Sequence, residues 1–430
     1  MAHGQGTWEI LPVPTQQRLR SVCFTDSLYG WAAGDSGIIL HTTDGGAGWV
    51  RQHTDLTDEI WEVFFLDREK GWASASNFTD PPYGTRLLKT TDGGANWSVS
   101  DYPAEDVFIH CILYLDSLNG WMGGSPHALV RTHDGGATWT QAEVDTSTLA
   151  FFPVLCIRFY DGRHGYASGG RFDIAGVLWN THDSGATWRA IDVSQAPADE
   201  VHSLHLFDSL NVMGAGGDPD FGYGVGMTRT TDGGINWLYD ELDIQGNAYD
   251  LDFRNDTEVW APLGPRRLMI YSLDGGVTWS DIDTPDQTAI YDMTFPDDLH
   301  GYAVGKEGAF LKYKPPVMPG IAGTGILSQG YVLEQNVPNP AGTTATIRYT
   351  IPGLPGAVSR TVDHRLVMMS PDGRVSAVYD LGRPAPGTHS CVIQAGDLPQ
   401  GLILYMLQAR ENGQYRTVAG PCKMLIVSQK

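Results

Sequence analysis

An eight-residue motif that recurs six times constrains the fold of this chain more than any other feature. Each copy has Ser or Thr first, Asp third, Gly fifth and Trp eighth. The copies are Thr42–Trp49, Thr90–Trp97, Thr132–Trp139, Thr181–Trp188, Thr230–Trp237 and Ser272–Trp279. Asp-Gly-Gly and Asp-Ser-Gly are typical of tight turns, because Gly adopts positive φ and the Asp carboxylate accepts hydrogen bonds from turn N–H groups. The motif therefore predicts a turn, with the Trp opening the next strand.

A second signal runs in step with the first. It is an aromatic residue or Leu followed, some six residues on, by Gly-Trp or Gly-Tyr or a weaker equivalent. It occurs at Phe24–Trp31, Phe65–Trp72, Tyr114–Trp121, Phe159–Tyr166 and Phe295–Tyr302, and more weakly at Leu206–Met213 and Phe253–Trp260. A repeat of roughly 40–50 residues built from short strands is typical of a β-propeller blade. The two signals together predict seven blades of four strands each.

The two ends of the repeat region are each incomplete, and they complement one another. Gly6-Thr7-Trp8 resembles the end of an eight-residue motif, whereas the last unit stops after Tyr313 at Pro315-Pro316 without one. We therefore expect the N-terminal strand to complete the last blade and close the ring, because an open ring would leave unpaired strand edges. The predicted fold class is all-β, a seven-bladed propeller over residues 1–316.

The eight-residue motif resembles the Asp-box (BNR-like) repeat of sialidase-like, sortilin-like and photosystem-assembly-factor-like propellers. The resemblance implies a structural role for the repeated aspartates and tryptophans. These are Asp44, Asp92, Asp134, Asp183, Asp232 and Asp274, with Trp49, Trp97, Trp139, Trp188, Trp237 and Trp279. Each motif carries one carboxylate, the Asp at its third position, and no second possible metal ligand at a fixed spacing. We therefore expect no metal site and no cofactor.

Composition excludes several classes of function. The chain has 430 residues and a formal net charge of −22, with no basic stripe of the kind that a nucleic-acid-binding protein needs. No apolar stretch is long enough to span a membrane. The first residues lack the pattern of a signal peptide, which we expect to have been removed. Cys23, Cys111 and Cys156 are predicted to be buried free thiols, whereas Cys391 and Cys422 could pair.

One face of the predicted propeller carries enlarged loops between the second and third strands. These loops lie at 76–86, 169–176 and 216–226, and the equivalent loop of the sixth blade carries two arginines. Their aromatic and charged residues form a candidate binding face for a protein or glycan, with solvated loop variation as the alternative. The candidate residues are Phe78, Tyr83, Arg86, Arg171, Phe172, Asp173, Asp218, Asp220, Phe221, Tyr223, Arg266 and Arg267.

The chain changes character after the propeller. Residues 317–329 are rich in Gly and small residues and are predicted to be a linker. Residues 330–430 contain short alternating runs broken by Pro and Gly, which predict a small Ig-like β-sandwich.

This tail resembles the C-terminal sorting domain of the type IX (Por) secretion system. The resemblance rests on Tyr331–Pro340, on the Thr-rich run Thr343–Tyr349, on Ser370–Val375 and Leu398–Tyr405, and on the last strand Lys423–Val427. Val337 and Leu402–Leu404 depart from the aromatic residues usual in that family but remain apolar. The resemblance implies type IX secretion machinery as a partner and an extracellular or outer-cell-surface location.

The sequence favours a non-catalytic protein over an enzyme. His53, His110, His127, His133 and His182 lack metal-ligand spacing, and no phosphate-binding loop, nucleophile elbow or zinc motif is present. We therefore expect a secreted propeller that binds a protein or glycan partner. Two alternatives stay open: a sialidase-like or xyloglucanase-like glycoside hydrolase acting in the cleft, and an assembly factor of a membrane complex.

Overall fold

A computed structural model of the chain describes residues 5–145, 149, 151–171, 174–218, 223–316, 331–352, 362–370, 374–411 and 414–426. The fold is all-β and divides into two compact units, the larger of which is Thr7–Pro315. The linker expected at 317–329 lies outside the described residues. Within the described part of the chain, no helix has the length and hydropathy that crossing a membrane requires.

Seven sheets make up the larger unit, and each of the first six is built from consecutive strands. Sheet 1 contains β2 (Leu19–Phe24), β3 (Gly30–Gly34), β4 (Ile39–Thr42) and β5 (Val50–Gln52). Sheet 2 contains β6 (Glu59–Phe65), β7 (Gly71–Asn77), β8 (Gly84–Thr90) and β9 (Ser98–Asp101). Sheet 3 contains β10 (Phe108–Tyr114), β11 (Gly120–Ser125), β12 (Ala128–Thr132) and β13 (Thr140–Gln141).

The remaining sheets follow the same plan, with two variations. Sheet 4 contains β15 (Val154–Phe159), β16 (Gly165–Arg171), β17 (Ala175–Thr181) and β18 (Thr187–Ala190), and β14 (Glu143–Val144) pairs in parallel with β18. Sheet 5 contains β19 (Val201–Leu206), β20 (Val212–Gly217), β21 (Gly224–Thr230) and β22 (Leu238–Gln245). Sheet 6 contains β23 (Asp252–Phe253), β24 (Val259–Pro262), β25 (Leu268–Ser272) and β26 (Ser280–Asp283). Sheet 7 contains β27 (Ile290–Asp297), β28 (His300–Gly305), β29 (Phe310–Lys314) and, as its outer strand, β1 (Thr7–Ile10).

Short 3₁₀ turns punctuate the strands. They are Asp35–Gly37, Val193–Gln195, Gly264–Arg266, Pro285–Gln287, Lys306–Gly308 and, in the tail, Ala395–Asp397.

The outer strand of sheet 7 joins the beginning of the larger unit to its end. Trp8 lies opposite Tyr313 in the antiparallel pairing of β1 with β29. The Trp8 ring makes edge contacts with Trp260, Phe295 and Tyr313, at centroid separations of 5.8, 5.7 and 5.3 Å. Aromatic edge contacts of this kind add to the stabilisation from apolar burial. The N-terminal strand is therefore fixed to the last sheet by both backbone and side chain.

The repeated turns share one hydrogen-bond pattern. In the first, Thr42 Oγ1 donates to Asp44 Oδ1 (2.8 Å), while Gly46 N donates to Thr42 Oγ1 (3.0 Å) and Gly48 N to Asp44 Oδ1 (2.9 Å). Gly46 has φ of 83°, and a Cβ there would lie 2.5 Å from the Phe310 ring, so only Gly fits. The same bonds recur in the other five turns, and hydrogen bonds led by the Thr138 side chain lower the pKa of Asp134 to about 2.

The smaller unit has two sheets around one core. Sheet 8 contains β30 (Val332–Leu333), β31 (Thr344–Ile351) and β34 (Gly387–Gln394). Sheet 9 contains β32 (His364–Met369), β33 (Val375–Gly382), β35 (Gly401–Glu411) and β36 (Gln414–Ile426). Their inner faces share buried apolar residues, among them Ile347, Ile393 and Tyr405. Cys391 and Cys422, which the sequence allowed to pair, lie in different sheets as free thiols.

Trp8→Ala should destabilise the larger unit by about 2–4 kcal/mol, because it removes a large, partly buried ring from three aromatic partners. Urea unfolding of the full chain, followed by tryptophan fluorescence, measures the change. Glu9→Ala is the matched control, since the neighbouring Glu9 only forms a surface ion pair with Lys314 and its loss should cost at most about 1 kcal/mol. Equal effects of the two substitutions would contradict a closing role for Trp8.

Candidate binding site at the mouth of a central channel

The first strands of the seven sheets surround a common axis. Neighbouring first strands contact one another in the order β27, β2, β6, β10, β15 and β19, and β23 also contacts β27. Ser203 in β19 donates a hydrogen bond to Asp250, just before β23, at 2.8 Å, which links the remaining pair of strands. A central channel therefore runs between the first strands.

The same four-residue pattern lies in six of the first strands and, in sheet 6, just before the first strand. It consists of a buried apolar residue, a variable residue, a small or acidic residue and a second apolar residue. The seven copies are Leu19–Val22, Ile60–Val63, Ile109–Ile112, Val154–Ile157, Val201–Leu204, Ala248–Leu251 and Ile290–Met293. In six of the sheets the strand register shifts at the variable residue, which is a β-bulge. Bulges re-aim side chains, and here they turn the variable residues away from the regular ladder.

The variable residues form a largely aromatic arc around one mouth of the channel. Tyr291 packs against Tyr249 (5.1 Å between centroids), Tyr249 against His202 (5.5 Å), and Trp61 against His110 (5.2 Å). Arg20 joins the second group, with its guanidinium 4.5 Å from the Trp61 ring centroid. All of these side chains are partly exposed.

This mouth lies on the same side as the turns between second and third strands. Gly37 N, in the first of those turns, donates to Asp58 O in the chain that enters sheet 2, at 2.8 Å. The repeated Asp turns lie on the opposite side, where Gly45 N donates to Leu28 O at 2.9 Å. The aromatic arc and the enlarged loops therefore share one face.

Two hydrogen-bond donors of this surface have no partner among the described residues. They are Arg18 Nε and Trp61 Nε1, and both atoms are buried. The Arg18 guanidinium lies 3.8 Å from the Tyr291 ring centroid, and burial together with the neighbouring Arg20 charge lowers the pKa of Arg18. Arg20 itself is held by Asp35 (2.5 Å) and Glu59 (2.7 Å). Arg18 is therefore a charged group at the mouth with one buried donor, Nε, that has no acceptor among the described residues, because guanidinium stays charged in proteins.

Below the mouth, polar side chains join each sheet to the next. Asp292 Oδ2 accepts from Val22 N (2.6 Å), and Asp250 Oδ2 accepts from Met293 N (3.1 Å). Ser21 Oγ accepts in the same way from Val63 N, at 3.2 Å. These bonds satisfy backbone donors that the bulges leave outside the ladders, so the channel lining helps to hold neighbouring sheets together.

Burial of this lining raises the pKa values of several carboxyl groups. Burial raises the pKa of Glu62 to about 8, which the nearby Arg158 charge partly offsets. It raises the pKa of Asp252 to about 7, and that of Asp292 well above its usual range, with Asp250 as the next cause. Arg158 is exposed to solvent although protein surrounds it, so the channel is open and polar rather than a dry core. Cys111 and Cys156 are buried and Cys23 is partly buried, all three as free thiols.

The residues predicted from the enlarged loops lie in several different sheets. Phe78 is 55% exposed and stacks on Phe108 at 4.6 Å, and Tyr83 in the same loop is 44% exposed. Arg86 is held by Asp58 at 2.6 Å. Asp218 is 4% exposed, so its predicted place on a binding surface is wrong.

The other predicted residues are separate from this group. Arg171 ends β16 and is exposed, Tyr223 is 52% exposed, and Arg266 and Arg267 lie at the 3₁₀ turn of sheet 6. Phe172, Asp173, Asp220 and Phe221 lie outside the described residues. In the described part of the chain, no group of three or more His, Cys, Asp or Glu side chains could hold a metal ion.

The sequence interpretation missed the arc of Arg18, Trp61, His202, Tyr249 and Tyr291. The signal was present in the four-residue pattern of the first strands, whose second position is large in most copies although the flanking positions are buried. A regular strand would turn that position toward a neighbouring sheet. The bulge that turns it to the mouth leaves no distinct mark in the sequence.

The fold and the repeated turns define a BNR-type β-propeller. A sequence model of the photosynthesis system II assembly factor YCF48 family matches residues 2–102 and 55–196 of this chain. A photosystem II assembly lipoprotein Ycf48 from Synechococcus sp. (strain CC9902) is 33% identical over 94 residues, which are 21% of this chain and 26% of the relative. The chain thus spans about a quarter of that curated relative.

Solved structures with the same fold cover more of the chain. A structure described as YCF48 bound to D1 peptide superposes with a TM-score of 0.57 at 22% identity, covering 71% of this chain and 96% of that one. The GH74 enzyme of Niastella koreensis superposes with a TM-score of 0.55 at 13% identity, covering 98% of this chain and 69% of that one. At these identities the likeness concerns the fold.

Glu62→Gln should make the stability of the protein less dependent on pH. The pKa of Glu62 is higher in the folded protein (about 8) than in the unfolded chain (near 4.5). Its protonated form therefore stabilises the fold fully below pH 4.5, and this stabilisation is lost as the pH rises through about 8. The wild type should therefore lose on the order of 1–2 kcal/mol more than E62Q between pH 6 and 9, allowing for solvent in the channel. Urea unfolding at pH 6, 7.5 and 9 measures this difference.

Glu59→Gln provides the control, because Glu59 lies three residues away at the mouth and pairs with Arg20. Its pH profile over this range should follow that of the wild type. Parallel profiles for E62Q and the wild type would show that Glu62 is ionised in the folded channel.

Proposed function

We propose that the seven sheets are the blades of a closed seven-bladed propeller, and that its channel mouth binds a segment of a partner protein without catalysis. The observation that carries this proposal is the pair of unpartnered donors, Arg18 Nε and Trp61 Nε1, within a partly exposed aromatic arc. A buried donor without a partner is costly unless a ligand satisfies it. Aromatic rings and arginine are also the residues that dominate the energetics of protein interfaces.

The comparisons support a protein ligand. The relatives are named as assembly factors, and one protein of the same fold is described as bound to a peptide. The proposed role of this chain is therefore that of an assembly factor, which holds a segment of a subunit of a membrane or surface complex until the complex forms. A glycan ligand on the same face is the alternative.

The partner segment should present a carboxylate, either from an acidic side chain or from a chain terminus. Guanidinium and indole N–H groups both donate hydrogen bonds, and the cation adds charge assistance. The formal net charge of −22 disfavours acidic segments elsewhere on the surface. Binding should therefore concentrate at the mouth and weaken with salt.

Arg18→Ala combined with Trp61→Ala should weaken binding of carboxylate-ended peptides by at least about tenfold, since it removes both donors and a contact ring. A library of terminal peptides, each synthesised with a free and with an amidated carboxyl end, provides the probes. Fluorescence anisotropy with the full chain measures the affinity.

Arg51→Ala is the matched control, because Arg51 is exposed on the outer strand of sheet 1. It should leave the affinity unchanged. Peptides that bind R18A/W61A as tightly as the wild type would place the binding surface elsewhere. Release of reducing ends from xyloglucan by the purified chain would instead support the hydrolase alternative, for which the raised pKa of Glu62 is the favourable observation.

We also propose that the tail is a type IX sorting domain that directs the protein to the outer cell surface. The support is the ordered series of family-like motifs from Tyr331 to Val427, together with a separate two-sheet unit in that part of the chain. A folded unit with its own core suits an address that machinery reads independently of the propeller.

Deleting residues 317–430 should leave the propeller folded but retained inside the outer membrane, in a host that has the type IX system. Cell fractionation with immunodetection measures the location. Fusing residues 317–430 to a periplasmic reporter should, conversely, bring the reporter to the cell surface. Surface delivery of the truncated propeller would contradict the proposal.

A further inference from the structure

The interface between sheets 2 and 3 contains a cavity of about 100 Å³. Trp72, Lys89, Ser98 and Ser100 of sheet 2 line it, with Tyr114 and Trp139 of sheet 3. A single water needs only about 10–15 Å³ of such volume. The cavity lies on the side of the Asp turns, because Gly135 and Gly136 of the third turn also line it. It is therefore separate from the channel mouth.

Three polar groups of this lining are buried without a hydrogen-bond partner among the described residues. They are Trp72 Nε1, Trp139 Nε1 and Tyr114 Oη. Native proteins leave few such groups unsatisfied, and a concentration of three around one cavity calls for an occupant that accepts hydrogen bonds. Aliphatic guests would leave all three groups unpaired.

The equivalent interface between sheets 1 and 2 shows what fills this position. Gln52 lies opposite Ile39 there, just as Ser100 lies opposite Leu87 in sheet 2. The Gln52 carboxamide occupies the interface, with Nε2 donating to Gly93 O at 2.7 Å and Oε1 accepting from Trp97 Nε1 at 3.1 Å.

The tryptophan next to it is satisfied as well. Trp31 Nε1 donates to Gly93 O at 3.1 Å, whereas its counterpart Trp72 has no partner. Both rings stack on the aromatic residue of the next sheet, at 3.5 Å on Phe65 and 3.7 Å on Tyr114. The two interfaces thus share their stacked rings, but the second has Tyr114 in place of Phe65 and Lys89 in place of His41, and it lacks the carboxamide.

The partners that a carboxamide would use remain in place at the cavity. Gly135 O corresponds to Gly93 O and accepts a hydrogen bond from Lys89 Nζ at 2.7 Å, and a carbonyl oxygen can accept a second one. Trp139 Nε1 corresponds to Trp97 Nε1 and is unpartnered. Ser98 and Ser100 are exposed, so the cavity has a polar entrance from solvent.

We propose that this cavity is a binding site for a small primary carboxamide, which takes the place that the Gln52 side chain has in the neighbouring interface. The amide N–H group would donate to Gly135 O, and the amide oxygen would accept from Trp139 Nε1. Trp72 Nε1 and Tyr114 Oη supply further donors for the same oxygen or for a second acceptor on the ligand.

Propionamide is the probe, titrated into full-length protein labelled with ¹⁵N in its indole groups. The Trp72 and Trp139 Nε1–H resonances should shift saturably in the millimolar range, as expected of a ligand with few atoms. Ser100→Gln should abolish these shifts and raise the melting temperature, because it supplies the carboxamide from the chain itself. Val99→Gln is the matched control, since Val99 neighbours Ser100, is 41% exposed and does not line the cavity.

Indole resonances that do not shift saturably would show that the cavity holds water only, and would overturn the proposal without depending on any variant. Shifts that persist unchanged in S100Q would place propionamide elsewhere. Tighter binding of sodium propionate than of propionamide would overturn the assignment to carboxamides, because Lys89 would then select a carboxylate. Success or failure here leaves the peptide site at the channel mouth unaffected.

Discussion

The pairing of β1 with β29 is the constraint on which the larger unit depends. In the proposed closed ring, each of the seven sheets packs its faces against two neighbours, so none has a free apolar face. Trp8 opposite Tyr313 joins residues about as far apart in the sequence as the unit permits. Loop-closure entropy grows only slowly with length, so one short strand with a buried aromatic cluster can offset it. Without that strand, β29 would expose an unpaired edge beside apolar side chains.

The same closure explains why the channel lining is polar. Seven first strands meet at one axis, and their bulges leave backbone N–H groups that the ladders cannot satisfy. Asp292 supplies an acceptor to Val22 across the junction between the last sheet and the first, and Asp250 does so for Met293. Several carboxyl groups accept hydrogen bonds at fixed points close to one another, so they cannot all be ionised. Burial, and then repulsion from Asp250, therefore raise the pKa of Asp292. Asp292 and Asp250 therefore have a structural role at the junctions between neighbouring sheets.

Much of the fold was predictable from local chemistry, because each turn motif is nearly self-contained. The hydrogen bonds from Thr42 and Gly48 to Asp44 span only a few residues, so the motif alone indicates them. The comparisons with known proteins confirm the prediction of a BNR-type propeller. The binding surface was less predictable, because it depends on bulges and on neighbours from other sheets. Asp218 was placed on the surface from its loop position, whereas packing buries it.

Because the chain is repetitive, each residue can be compared with the equivalent residues of the other sheets. Positions where the copies differ point to function. Gln52 and Ser100 occupy one structural position, yet one fills an interface and the other leaves a cavity with unpaired donors. Arg18 and Arg20 lie two residues apart, yet Arg20 is neutralised by Asp35 and Glu59 while Arg18 Nε lacks a partner. Where a copy leaves a polar group unsatisfied, the missing partner is best sought outside the chain.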